Sequence, residues 1–142
     1  MRARMWWVLG CVIGLCGVAG GAFGAHGLRN MVPPERLATW ATGAEYALIH
    51  AVALIGVGAV RLQLSHRALD IAGLSFGLGT LLFTGSLWLL VLLDLPKLGA
   101  VTPFGGTLFL VGWVAAAIGG ARGSGAAHRH ERSRSTTPGT PG

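Results

Sequence analysis

Residues 5–25 contain no charged side chain. At 1.5 Å of rise per residue, such a stretch covers the roughly 30 Å hydrocarbon core of a bilayer as one helix. In hydrocarbon only helices and closed barrels satisfy every backbone N–H and C=O, so this one run excludes most folds. Trp6 and Trp7 at its start suit the aromatic belt of a membrane interface, with Arg2 and Arg4 beyond them among the headgroups. A cleavable signal peptide is the competing reading, because Ala22 and Gly24 satisfy a small-residue cleavage rule. The length of the run and the equally apolar sequence after it favour a retained span.

The same pattern recurs three times. Pro33 and Pro34 stop a helix within 28–35, and Pro34 or Glu35 opens the next one, whose first turn has no acceptors to lose. Leu37, Trp40, Ala41 and Ala44 make an amphipathic entry, and 47–60 is apolar except for His50. Counting from Trp40 as a belt residue at one face to Arg61 at the other places His50 near the midplane. A polar turn over 61–70 precedes an apolar run over 71–93, polar only at Ser75, Thr80, Thr84 and Ser86 and closed by Asp94, Pro96 and Lys97. Residues 104–121, entered through Thr102 and Pro103, make the last crossing. The remainder is rich in Ser, Thr, Pro, Gly and Arg and has almost nothing apolar to bury. The expectation is an all-α, integral-membrane four-helix bundle of up-down topology over 1–121, with spans near 5–27, 36–61, 69–93 and 102–121. A disordered basic tail is expected over 122–142.

Charge is consistent with that layout. Of 142 residues 52% are hydrophobic and 11% charged, far below the quarter or so usual in a soluble domain. The net charge of +6 does not point to nucleic acid, because the basic residues lie outside the spans, as a membrane protein places them. Arg2, Arg4, Arg61, Arg67, Arg122, Arg129, Arg132 and Arg134 share one side, against Arg29, Arg36 and Lys97 on the other. The positive-inside rule then puts both termini in the cytoplasm. Lys97 is the sole lysine, which fits a GC-rich bacterial coding sequence and hence a bacterial inner membrane. Cys11 and Cys16 stand about 140° apart on a helix, so they neither pair nor clamp one metal. The apolar run before Cys11 is too short for a lipoprotein signal.

Lipid gives no hydrophobic drive for helix association, so close approach through small residues has to supply the packing. Gly10 and Gly14, Gly17 and Gly21, and Gly20 and Gly24 form three four-residue pairs on span one, and Gly73 and Gly77 repeat the spacing on span three. The three overlapping pairs mark span one as the central, protein-facing helix.

The polar groups of the spans gather toward the outer half. Thr42, Tyr46 and His50 share one helical face with Glu45 one position aside, while His26, Thr84 and Ser86 lie at mid to outer depth. Intramembrane ionisable groups cost about 2.5 kcal/mol or more as charges and so invite a functional reading with a named partner. The expected pairs are Glu45 with His26, and His50 with Tyr46 or Thr84. The plainer alternative has the histidines bonded to hydroxyls or carbonyls and Glu45 reaching water, Arg29 or Arg36. A metal site is not expected, because the candidate ligands differ in depth. No nucleophile with a base, no phosphate-cradling loop and no CxxC motif is present, so neither an enzyme nor a cofactor is expected.

Four stretches carry a family likeness: GAFGAHGL (21–28), WATGAEYALIHAVAL (40–54), LLFTGSLWLL (81–90) and TPFGGTLFLVGW (102–113). With them the chain resembles Domain of Unknown Function 423, a family of small bacterial membrane proteins with four-helix eukaryotic relatives. The resemblance implies a multi-pass inner-membrane protein and brings no catalytic or transport residues with it. Members often carry an amide near the YxxxH stretch, where this chain has Glu45 and Ala47. The function expected is that of a small structural or accessory membrane protein, in contact with the lipid bilayer and with a homo-oligomer or another membrane protein as its possible association. The alternative is a small transporter or proton- or cation-coupled carrier using His26, Glu45 and His50.

Overall fold

The computed structural model describes residues 2–135, with side chains over 3–122. Helix α1 spans Arg2–Phe23 and widens into a π-helical turn at Gly24–Leu28; α2 spans Pro34–Gln63, α3 Arg67–Leu93 and α4 Thr102–Ser135, with a 3-10 turn at Pro96–Ala100 before α4. No strand occurs among the described residues. Ala3–Leu28, Pro34–Gln63, Arg67–Leu93 and Pro96–Arg122 are each long and apolar enough to cross a membrane. The protein is therefore an all-α, four-helix membrane bundle.

Local chemistry sets the helix ends. Pro34 occupies the first turn of α2, with Glu35 beside it at the positive end of the helix dipole. His66 Nδ1 accepts from the Ala68 N–H at 3.1 Å and caps α3. Asp94 closes α3 in the left-handed conformation at φ 50°, its N–H returning to the Leu90 carbonyl. The backbone of α4 continues helically past residue 121, where the sequence suggests an end, because no proline interrupts it between Pro103 and Pro138. Residues 136–142 and the side chains beyond 122 lie outside the described residues; of the tail expected to be disordered over 122–142, the backbone of 122–135 is helical and 136–142 falls outside.

α2 and α3 form the centre; α1 lies along α2, and α4 along α3. Within the apolar window of each span, 44% of α2 and 39% of α3 is buried, against 22% for the first and last. Span one is therefore peripheral, not central. Its glycines mainly narrow the contact with α2, with Gly20 also meeting Trp88 of α3, while Val8, Val12, Leu15 and Val18 face outward.

The close contacts repeat every seven residues, the period that keeps a seam against a partner wound with left-handed twist. A Cβ at Gly10 would stand 2.8 Å from the Ala51 carbonyl oxygen, at Gly17 2.9 Å from the Leu48 side chain, and at Gly24 2.5 Å from the Trp40 ring. Gly14 and Gly21 have ordinary room, with nearest atoms at 3.5 and 3.9 Å. Gly20 meets Trp88, while Gly73 and Gly77 bring α3 against Trp6 and Leu9 of α1. The α3–α4 seam uses the same device at Gly105, Gly112 and Gly119, where a Cβ would fall 2.6 Å from the Phe83 amide nitrogen, 2.5 Å from Phe76 and 2.7 Å from Leu69.

Candidate functional site

Two ion pairs clamp the central helices at opposite ends of the bundle. Arg61 near the end of α2 forms a two-point pair with Asp70 of α3, Nε to Oδ1 at 3.2 Å and Nη2 to Oδ2 at 3.3 Å. Trp6 Nε1 donates to the same carboxylate at 3.4 Å and brings in α1. At the other end Arg36 of α2 reaches Asp94 at 2.6 Å. Residues 61–70 are thus no simple polar turn: Arg61 and Asp70 each sit inside a helix and face one another, on either side of a short connection.

Indole chemistry organises the end near Arg36. Trp40, expected as a lipid-facing belt residue, is only 4% exposed. Its ring stacks on Trp88 at 4.9 Å with Phe23 against its edge, and its Nε1 donates to the Gly20 carbonyl at 2.7 Å. Trp88 Nε1 in turn donates to the Trp40 carbonyl at 3.2 Å. Glycines at 20, 24 and 43 leave the space these two rings fill, so a tryptophan that hydropathy assigns to the interface becomes an internal wedge.

His50 lies deeper and is 3% exposed. Its ring stacks on Phe109 with centroids 3.5 Å apart and planes 8° apart, and Phe76, Tyr46 and Trp113 complete an aromatic layer between α2, α3 and α4. Nδ1 is 2.8 Å from the Tyr46 carbonyl, which can only accept, so Nδ1 carries the proton. Nε2 has no hydrogen-bond partner among the described residues.

The expected polar constellation does not assemble. Tyr46 pairs with His50 through its backbone carbonyl, not its hydroxyl, and its ring stacks on Phe83 at 4.5 Å. Thr84 is buried, but its hydroxyl donates to the Gly43 carbonyl at 2.9 Å and not to His50. Ser86 donates to the Phe83 carbonyl and meets the Thr102 hydroxyl at 2.9 Å, tying α3 to α4. His26 and Glu45 are both exposed on the bundle surface, and among the described residues no hydrogen bond or ion pair joins them. Arg36 is engaged with Asp94 instead of Glu45. Which helical face meets a neighbour depends on where the glycine seams let one backbone approach another. Among the described residues no three His, Cys, Asp or Glu side chains come together in a way that could hold a metal.

The family model described as a protein of unknown function, DUF423, matches residues 20–106. A UPF0382 membrane protein of Bacillus subtilis, YwdK, is 39% identical over 108 residues, covering 75% of this chain and 88% of its own. Related UPF0382 membrane proteins are 37% identical in Staphylococcus saprophyticus, over 79% of this chain and 92% of that one, and 38% identical in Haemophilus influenzae, over 72% and 82%. No solved structure matches.

Proposed function

This chain belongs to the DUF423 family of proteins of unknown function, and from that premise we propose that it is a small accessory protein of the bacterial inner membrane, a rigid bundle and not a conduit. The observation carrying this reading is how the polar groups of the spans are used. The buried hydroxyls of Thr80, Thr84 and Ser86 are bonded to backbone carbonyls, the indoles of Trp40 and Trp88 likewise, and His26 and Glu45 stand apart on the outside. Among the described residues no hydrogen bond links His26 or Glu45 to His50, whose ring is packed against Phe109 and Phe76. In this reading the protein catalyses no reaction and keeps both termini in the cytoplasm, as its arginine distribution favours.

The test is the purified protein in liposomes loaded with a pH-sensitive dye. The accessory reading expects no flux above protein-free vesicles, and a loss of thermal stability in the His50→Ala variant. A carrier has one observation on its side, the buried Nε2 of His50 without a partner. Flux abolished by His50→Ala would replace the accessory reading with that one. An absorbance and metal scan of the pure protein tests the non-enzymatic part: a stoichiometric chromophore or metal would refute it.

A further inference from the structure

The two ion pairs supply a depth scale for α2. Glu45 lies about 13 Å along the helix from Arg36 and about 24 Å from Arg61, so its backbone is within about 5 Å of the midpoint of a roughly 30 Å hydrocarbon layer. Side chains on a helix lean toward its N-terminus, which moves the carboxyl outward without bringing it clear of the hydrocarbon. Its direction is equally defined. Glu45 stands about half a turn around the helix from Leu54, which is 0% exposed at the core, so the carboxyl points straight out of the bundle. Among the described residues nothing hydrogen-bonds to it or pairs with its charge. A carboxyl directed into lipid at that depth is among the costliest placements a membrane helix can make.

Glu45, Ile49, Val52, Gly56 and Ala59 follow one another at alternating steps of four and three and so form one continuous stripe along α2. Ile49 is 45% and Val52 70% exposed, and the space beside Gly56 is open to 4 Å. Among the described residues no side chain of the same chain covers this stripe.

We propose that this face of α2 is where two copies of the chain meet, with their Glu45 carboxyl groups hydrogen-bonded to one another across a two-fold axis along the membrane normal. Two copies inserted in the same direction bring identical residues to identical depth, and an isologous contact pairs each seam residue with its own image. In its neutral form a carboxyl both donates and accepts, so two of them satisfy each other with no third group. A different partner would need its own donor at that depth, whereas a second copy brings one by symmetry. The small residues Gly56 and Ala59 allow the helices to close toward the cytoplasmic end. This inference needs only the membrane placement and is independent of the accessory role.

The experiment uses the full chain in liposomes with Cys11→Ser and Cys16→Ser to remove native thiols. Oxidation of single-cysteine variants is expected to yield covalent dimers from Ile49→Cys and Val52→Cys, and none from Leu81→Cys or Leu110→Cys, which are exposed on α3 and α4. Dye-labelled chains should show energy transfer, with dimerisation weakened about tenfold in Glu45→Leu, the effect of losing the two hydrogen bonds of the carboxyl pair, and held within about threefold in Glu45→Gln, whose amide also donates and accepts. The cross-linking variants keep Glu45, so they report even if Glu45→Leu misfolds. A monomer at every density, cross-links strongest away from the seam, or a dimer indifferent to Glu45→Leu would each overturn the proposal.

Discussion

His50 separates packing from chemistry more sharply than any other side chain. Its ring fills a slot between Phe109 and Phe76, while Nε2 gains nothing from its neighbours. If the ring serves as filler, His50→Phe should hold or raise stability, since a buried polar atom without a partner is removed and the stack retained. His50→Ala should lower stability by about 2–4 kcal/mol through the void it leaves. Thermal unfolding in mild detergent measures both, and a His50→Phe variant as damaged as His50→Ala would mean that the imidazole holds something the ring alone does not. Thr84→Val tests the smaller contribution: losing its bond to the Gly43 carbonyl should cost about 0.6 kcal/mol, the mean for interhelical bonds in membranes. The four-residue spacing of Tyr46 and His50 was legible as one helical face. The aromatic layer was not, because Phe76, Phe83 and Phe109 belong to helices whose rotation no local pattern states.

Among the helices, the informative unit is the seam. The glycine pairs spaced by four are real close approaches at only some of their members: Gly10, Gly17 and Gly24, seven apart, meet α2, Gly20 meets Trp88 of α3, and Gly14 and Gly21 have ordinary room. Gly10→Ala drives a methyl against the Ala51 carbonyl oxygen, backbone that cannot swing aside, and should cost about 1–3 kcal/mol. Gly14→Ala, with 3.5 Å of room, should be neutral or slightly stabilising, because alanine is the better helix former. Comparing the unfolding of the two variants decides whether the seam has the register described, and equal effects would contradict it. Gly105→Ala should match Gly10→Ala, since its methyl would meet the Phe83 amide nitrogen. The α4 glycines were visible as letters, but their seven-residue spacing escapes a search for pairs four apart.

At the scale of the whole molecule, α2 and α3 are pinned together at both ends and the outer helices are laid upon them. The two pins are unequal. Asp70 and Arg61 are 13% and 19% exposed, whereas Asp94 is 85% exposed and screened by solvent. Asp70→Asn should therefore destabilise the bundle clearly, by about 1–3 kcal/mol, and Asp94→Asn by less than about 0.5 kcal/mol; chemical denaturation of both variants checks the order. Reporter fusions should place both termini in the cytoplasm, and ends on opposite sides would break the four-crossing scheme with its charge count. Hydropathy alone determined that the chain makes four crossings and roughly where each begins, because burial in lipid depends on local composition and length. Tertiary structure alone decided which helices lie at the centre, that Trp40 turns inward, and that His50 is sealed while Glu45 looks out. Those outcomes depend on helix rotation about the axis, which is set by where one backbone can approach another and has no counterpart in hydropathy along a single segment.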